Sequence, residues 1–364
     1  MIARMSILGS RKNEGAPLRF ARTRSSTTAV VLFATLAGCG DGTRPPAADP
    51  RPPTPEAETR EVPGYPDRGV LVIGPAAQVG PVPLILVLHG GASNPEGMRR
   101  ITCPEGDLES PGCLDRLAAA AGFAVAYPSG ELIGGSWGRA RTWNAGGGLD
   151  GWKCVSGPAC FARADDVEYL AAVVDDLATH DAIDRARVFA TGLSNGGAMS
   201  YRLACESDLV VAIAPVSGAN QLAAAQGCSP GRSVSTLHFH GTADPCWPFE
   251  GGPGGCIDPT PGSFVGVEAS LDATAASLDC EPAPSSEPVP DTDVDGMTTT
   301  RLRWQGCAGG SRLELLRVLG GGHTWPGGFQ YLPVVNVGAQ TSDFDANAEI
   351  LGFFRSAEST PRAP

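Results

Sequence analysis

The sequence lacks three features, and each absence excludes a class of protein. Its apolar run at residues 29–36 is far shorter than the roughly 20 residues that a membrane-spanning helix needs. No two cysteines have C-x-x-C spacing, which argues against a structural zinc site. Positive charge is in deficit: 27 Lys and Arg against 39 Asp and Glu give a net charge of -12, which argues against nucleic acid as a partner.

The N-terminus has the pattern of an export signal. Basic residues precede the apolar run, which ends in Leu36-Ala37-Gly38-Cys39. This ending resembles the lipobox of bacterial lipoproteins, so we expect a signal peptide at 1–38 and lipidation of Cys39. The alternative is a general secretory signal that is cleaved nearby. The protein would then be a membrane-anchored lipoprotein in the periplasm or on the cell surface, or a secreted protein, and its only contact with a membrane would be the lipid anchor.

The rest of the chain divides into a tether, one domain and a short tail. Residues 39–63 are rich in proline and polar residues and are predicted to form an extended tether. Residues 64–357 alternate buried-strand patterns with amphipathic helix patterns, and residues 358–364 are expected to be a flexible tail. The alternation predicts an α/β fold with a mostly parallel central sheet and helices on both faces.

The ten cysteines other than Cys39 predict five disulfides. An even number of cysteines in an exported chain is typical of a disulfide framework. Sequence alone leaves the connectivity open, and our hypothesis joins neighbours along the chain. The predicted pairs are Cys103 with Cys113, Cys154 with Cys160, Cys205 with Cys228, Cys246 with Cys256, and Cys280 with Cys307.

A G-x-S-x-G pentapeptide at residues 192–196 makes Ser194 the candidate nucleophile. It follows the apolar run 187–191 and precedes a helix pattern, the context in which a sharp turn lifts a serine out of a sheet. In a chain with 48 glycines the pentapeptide could also be an ordinary turn. Partners for Ser194 are therefore needed.

Two later strand ends supply these partners. Asp244 follows the strand pattern at 236–240, and His323 follows the strand pattern at 313–318. The order serine, acid, histidine is that of α/β-hydrolases. His323 would accept the proton of Ser194, and Asp244 would hold the imidazole in the correct tautomer. Backbone N–H groups of Gly91, in a His-Gly-Gly turn, and of Asn195 would form the oxyanion hole.

Six blocks of sequence together resemble the polyhydroxybutyrate depolymerase-like esterases, a group that includes feruloyl and acetyl xylan esterases of carbohydrate esterase family 1. The blocks lie at residues 88–91, 143–146, 165–167, 192–197, 240–244 and 320–327. The resemblance implies a single-domain α/β-hydrolase that cleaves carboxylic esters without a metal or organic cofactor.

The resemblance leads to several expectations about substrate and function. We assign Trp143, Trp247 and Trp325 to substrate binding, with shielding of the Cys246 disulfide as the alternative for Trp247. The expected substrates are feruloyl or acetyl esters of polysaccharides, or soluble hydroxyalkanoate oligomers, and the expected state is a monomer. An acyltransferase with the same triad and a non-catalytic surface lipoprotein are the alternative functions.

Overall fold

The computed structural model describes residues 56–75, 80–134, 139–148, 151–155, 157–222, 228, 233–256 and 262–358. The predicted signal peptide, Cys39, most of the predicted tether and residues 359–364 lie outside these ranges.

Ten strands of the described chain form one sheet. The strands of the described chain are β1 (Ala57–Val62), β2 (Tyr65–Ile73), β3 (Val82–Leu88), β4 (Ala124–Pro128), β5 (Glu131–Leu132), β6 (Arg141–Thr142), β7 (Ile183–Leu193), β8 (Ala212–Val216), β9 (Ser235–Gly241), β10 (Gly252–Pro253), β11 (Ser263–Phe264), β12 (Ser285–Pro288), β13 (Thr298–Trp304) and β14 (Leu313–Leu319). The order of the strands in the large sheet is β1-β2-β4-β3-β7-β8-β9-β14-β13-β12, while β5 pairs with β6 and β10 with β11.

The centre of the sheet is parallel, as predicted. The six strands from β4 to β14 in the sheet order are all parallel neighbours. Their residues are buried almost without interruption, as expected for strands that are covered on both faces. Antiparallel strands extend the sheet at both edges, with β2 and β1 on one side and β13 and β12 on the other.

Helices cover both faces of the sheet because alternate residues of each strand point to opposite sides. The helices of the described chain are α1 (Pro95–Ile101), α2 (Leu114–Ala120), α3 (Pro158–Phe161), α4 (Asp166–His180), α5 (Asn195–Glu206), α6 (Val267–Ser277), α7 (Val334–Val337) and α8 (Ala346–Glu358). On β3, Leu84, Leu86 and Leu88 pack with α4 and α5, whereas Ile85 and Val87 pack with α1, α2 and α8.

The predicted start of the domain at residue 64 was wrong. Strand β1 (Ala57–Val62) lies inside the segment predicted as tether and pairs with β2 along its whole length. Its residues are mostly exposed, as on an edge strand, so it has no apolar pattern that would distinguish it from a linker. The ordered domain therefore begins before Gly64 and continues to Glu358 at the end of α8.

All five predicted disulfides are present. They join Cys103 to Cys113, Cys154 to Cys160, Cys205 to Cys228, Cys246 to Cys256, and Cys280 to Cys307. Each closes a loop of 6 to 27 residues between cysteines that are neighbours along the chain. The loop closed by Cys205 and Cys228 contains β8, and the loop closed by Cys280 and Cys307 contains β12 and β13. Each covalent link limits the freedom that its loop would have in the unfolded chain.

Candidate active site

Ser194 occupies a sharp turn between a central strand and a helix. Strand β7 ends at Leu193, helix α5 begins at Asn195, and Ser194 has φ 58° and ψ -119°. A positive φ is unfavourable for a residue with a side chain, and such strain is concentrated at functional sites. The Ser194 N–H donates to Val216 O at 2.8 Å, which anchors the turn to β8. The side chain is half-buried and therefore accessible from the carboxyl edge of the sheet.

Glycines are required on both sides of this turn because the backbone passes too close for a side chain. A Cβ on Gly196 would lie 2.1 Å from Leu88 O, and one on Gly192 would lie 2.5 Å from the same oxygen. The two glycines of the pentapeptide thus allow β3 and the turn to approach each other. The G-x-S-x-G pattern is explained by this approach, and an ordinary turn would not need it.

Asp244 and His323 meet at the same edge of the sheet. The neighbouring parallel strands β9 and β14 end at Gly241 and Leu319, so the loops that follow them emerge side by side. His323 Nδ1 donates to Asp244 Oδ2 at 2.7 Å, and both side chains are buried. This arrangement leaves Nε2 of His323 as the proton acceptor of the ring.

The hydroxyl of Ser194 is not hydrogen-bonded to His323 among the described contacts. Its turn follows β7, and β8 alone separates β7 from the strand that carries Asp244. In many enzymes the contact between nucleophile and base forms only when substrate binds, so this geometry is compatible with a triad. The structure thus joins two of the three predicted residues directly and places the third at the same sheet edge.

The Asp244 carboxylate accepts hydrogen bonds on both oxygens. Its Oδ1 accepts from the N–H groups of Cys246 and Trp247, each at 2.8 Å. Its Oδ2 faces His323 and, at 3.3 Å, the Nε2 of His240. Burial acts to raise the pKa of Asp244, but the attraction of His323 and the hydrogen bonds of the two histidines outweigh it and hold that pKa well below its usual range. Asp244 is therefore ionised at neutral pH.

Two backbone N–H groups are free to bind an oxyanion. Within the described contacts, neither Gly91 N nor Asn195 N donates to a protein acceptor. Asn195 is the first residue of α5, where N–H groups have no partner inside the helix and the helix dipole favours negative charge. The predicted oxyanion-hole residues are thus both available as donors.

His89 fixes the turn that carries Gly91. Its Nδ1 donates to Gly90 O at 2.8 Å, and its Nε2 accepts from Gly130 N at 2.9 Å. Burial lowers the pKa of His89 to about 4, so the ring is neutral and this tautomer is the stable one. The sequence shows that His89 opens the His-Gly-Gly turn, but it does not reveal this hydrogen bond, because the partner Gly130 lies 41 residues away.

The three tryptophans assigned to substrate binding are buried, and that assignment was wrong. Trp143, Trp247 and Trp325 are 0%, 1% and 0% exposed, which leaves no ring surface for a substrate to contact. Each indole N–H is used internally. The acceptors are His89 O for Trp143, Val265 O for Trp247 and Asn347 Oδ1 for Trp325.

Trp143 instead braces the two turns that carry the predicted oxyanion-hole residues. Its backbone N–H donates to Asn195 Oδ1 at 2.7 Å, and its carbonyl accepts from Asn195 Nδ2 at 3.0 Å. Since its indole also binds His89 O, one residue connects the turn after β3 with the turn after Ser194. This support is why a tryptophan lies close to the site without facing it.

A buried ion pair between Arg68 and Asp166 supports the loop that carries Trp143 through its neighbour Asn144. Arg68 donates to Asp166 Oδ1 at 2.5 Å, and its guanidinium lies 3.7 Å from the centre of the Tyr169 ring. Asp166 Oδ2 accepts from the N–H of Asn144. Spacing could not have revealed these contacts, since Arg68 and Asp166 are 98 residues apart.

The acid and base of the site are not arranged as metal ligands. Ligand-type atoms of Asp244, Cys246 and His323 lie within 4.8 Å of one another. However, Cys246 is joined to Cys256, and His323 Nδ1 donates to Asp244. Cys246 therefore offers no thiolate, and Nδ1 of His323, the ring nitrogen that faces Asp244, carries a hydrogen and has no free lone pair for a metal ion.

The parallel sheet, the strained serine turn and the acid–histidine pair define a hydrolase of the α/β class, and comparison with known proteins agrees. No protein-family model matches the chain. Over 283 residues the chain is 31% identical to the protein named "Putative esterase NocK" from Nocardia uniformis subsp. tsuyamanensis, and the match covers 74% of each. The chain belongs to the family of this relative and is a carboxylic ester hydrolase.

Further similarities agree with this family. Feruloyl esterase B from Piromyces equi is 28% identical over 170 residues, a match that covers 46% of this chain and 30% of that protein. The solved structure of an acetyl xylan esterase from Aspergillus awamori superposes with a TM-score of 0.50 at 17% identity, covering 82% of this chain and 99% of the other. The latter shows a shared fold, so the predicted α/β-hydrolase fold and the resemblance to esterases are confirmed.

None of the helices in the described part of the chain is both long enough and apolar enough to cross a bilayer. The five disulfides are typical of proteins outside the reducing cytosol.

Proposed function

We propose that the protein is an exported serine esterase in which Ser194, His323 and Asp244 act as a triad. The observation that carries this proposal is the buried hydrogen bond from His323 Nδ1 to Asp244 Oδ2 at 2.7 Å, beside a serine in a strained turn. A serine that merely shaped a loop would need neither the positive φ nor a neighbouring histidine with a committed carboxylate.

The geometry supports a two-step reaction. Nε2 of His323 takes the proton of Ser194 as its Oγ attacks the ester carbonyl, and the N–H groups of Gly91 and Asn195 bind the oxyanion. The histidine then gives the proton to the departing alcohol, which leaves an acyl group on Ser194. Water, deprotonated by the same nitrogen, attacks this acyl-enzyme, and the carboxylic acid leaves as the proton returns to Ser194.

The named relatives support a substrate class. One is a feruloyl esterase and another an acetyl xylan esterase, so the proposed substrates are feruloyl or acetyl esters of polysaccharides. Soluble hydroxyalkanoate oligomers carry the same bond and are the second candidate. Because Trp143, Trp247 and Trp325 are closed off, other residues at this edge of the sheet must recognise the substrate.

We further propose that the protein reaches its place of action through a signal peptide at 1–38, with a lipid on Cys39. The support is the pattern of basic residues, apolar run and Leu36-Ala37-Gly38-Cys39, together with the five disulfides. The lipid on Cys39 would then be the attachment of the protein to the membrane.

A substrate panel tests the function. It contains methyl ferulate, acetylated xylan, p-nitrophenyl esters of graded chain length and hydroxybutyrate oligomers, each measured with wild-type protein and with Ser194→Ala. We expect turnover by water alone, lost in the variant, with feruloyl or acetyl esters as the fastest substrates. Turnover that requires an added sugar or lipid hydroxyl would identify an acyltransferase instead. No turnover of any ester would contradict the proposal.

A further inference from the structure

A chain of buried side chains leads from the helix behind Ser194 to the carboxylate of Asp244. Tyr201 Oη lies 3.0 Å from His238 Nδ1, and His238 Nε2 lies 3.1 Å from His240 Nδ1. The planes of the two imidazoles are nearly parallel, with an interplanar angle of 6°. His240 Nε2 lies 2.9 Å from Trp247 O and 3.3 Å from Asp244 Oδ2. Tyr201, His238 and His240 are at most 2% exposed.

The direction of every hydrogen bond in this chain follows from one fixed point. The carbonyl of Trp247 can only accept, so Nε2 of His240 carries the hydrogen and donates. In a neutral ring Nδ1 of His240 must then accept, and His238 Nε2 is its donor. The Nδ1 of His238 is left as an acceptor for the hydroxyl of Tyr201. All three donors thus point along the chain toward Asp244.

Burial favours this uncharged arrangement. It lowers the pKa of His238 well below its usual range, and the neighbouring His240 lowers it further. Burial also raises the pKa of Tyr201, which keeps its hydroxyl protonated and able to donate. Both nitrogens of His238 and of His240 are used in these hydrogen bonds.

We propose that His240 is a positioning residue for the acid of the triad, held in its donating tautomer by His238 and Tyr201. Its Nε2–H, which donates to Trp247 O, also lies 3.3 Å from Oδ2 of Asp244, the oxygen that accepts from Nδ1–H of His323. The backbone N–H groups of Cys246 and Trp247 occupy Oδ1. The carboxylate is thereby fixed from two sides, and His323 is held in one orientation. This inference rests on the proposed function, because it concerns how Asp244 serves His323.

Two substitutions at one position separate positioning from packing. In His240→Gln the amide N–H₂ reaches the place of Nε2 and can still donate to Asp244. In His240→Asn the amide oxygen can replace Nδ1 as acceptor for His238, but the side chain stops short of the carboxylate. Because residues that orient a catalytic group typically contribute 10- to 100-fold, we expect His240→Asn to lower kcat on p-nitrophenyl acetate by about 10- to 100-fold with little change in KM. We expect His240→Gln to stay within about threefold of wild type.

The outcomes of this comparison are distinct. Retention of activity in His240→Gln with loss in His240→Asn, at equal thermal midpoints, supports positioning. Full activity in both variants overturns it, and so does equal loss in both that follows the loss of stability. If Ser194→Ala is inactive while both His240 variants match wild type, the proposed function stands and the positioning role fails.

Two further measurements decide the matter if the variants at His240 fold poorly or if wild-type protein hydrolyses no ester. Tyr201→Phe keeps the shape of the ring and removes the first donor, and we expect a fall in kcat of about 3- to 10-fold. Independently of activity, ¹⁵N NMR of histidine-labelled full-length protein should show hydrogen on Nε2 of both His238 and His240, with His238 as a neutral ring. Either ring with hydrogen on Nδ1 alone would overturn the proposed chain of donors.

Discussion

Ser194→Ala is expected to lower kcat for ester hydrolysis by about 10⁵- to 10⁶-fold, because removal of a serine nucleophile from a triad has an effect of this size. The substitution removes one oxygen and leaves a Cβ in place, so the positive φ of the turn costs the same in both proteins. Neither the oxyanion donors nor the pair of Asp244 and His323 is altered. The thermal midpoint should therefore match that of wild type within about 2 °C, as expected for a change below 1 kcal/mol.

Ser207→Ala is the matched control for this experiment. Ser207 lies just beyond the other end of α5, where its hydroxyl donates to Leu203 O at 2.6 Å. Its loss should affect the end of the helix and leave kcat within about twofold of wild type. Substantial activity in purified Ser194→Ala, with no contaminating esterase, would exclude Ser194 as the nucleophile.

Asp244→Asn is expected to lower kcat by about 10⁴-fold, the size of effect seen when the acid of a triad is made an amide. The physical reason is that four N–H groups face the carboxylate oxygens of Asp244. Oδ1 accepts from two backbone N–H groups that cannot turn away, so an asparagine must direct its oxygen there and its N–H₂ group at His323 and His240. His323 would then accept at Nδ1 and carry its hydrogen on Nε2. In that tautomer it cannot take the proton of Ser194.

Stability should reveal the same carboxylate in its pH dependence. The folded-state pKa of Asp244 is lowered, so its contribution is present above the unfolded value of about 3.9 and is lost as the pH falls below it. The difference in thermal midpoint between wild type and Asp244→Asn should therefore shrink as the pH is lowered from 6 to 3. Asp175→Asn, an exposed residue paired with Arg185, serves as the control and should show almost no such difference. Near-normal kcat in Asp244→Asn would contradict the role of Asp244.

The central sheet and the candidate triad could be predicted because their signals are local. A strand buried on both faces is typically a continuous apolar run, and β3, β4 and β8 have that signature, whereas β9 and β14 also contain polar residues. Ser194, Asp244 and His323 each follow the end of a strand, with at most three residues between. The disulfides join cysteines that are neighbours along the chain, so the simplest pairing was also the one observed.

The features that were missed lack a local sequence signal, and most of them depend on partners far away in sequence. Strand β1 is exposed and polar, and only its pairing with β2 identifies it. Trp143 was assigned to the substrate because large aromatic residues near a site often face it, yet its indole and backbone bind His89 and Asn195. Likewise, the spacing of His238 and His240 places them on one side of a strand but does not show that Tyr201 and Asp244 lie at the two ends of their chain.

The most direct test of a serine acyl-enzyme mechanism is covalent labelling with a fluorophosphonate, followed by intact-mass measurement and peptide mapping. We expect one label per chain on Ser194 and a loss of ester hydrolysis in proportion to labelling. A protein that hydrolyses esters but takes up no label, or is labelled at another residue, would contradict an acyl-enzyme mechanism at Ser194.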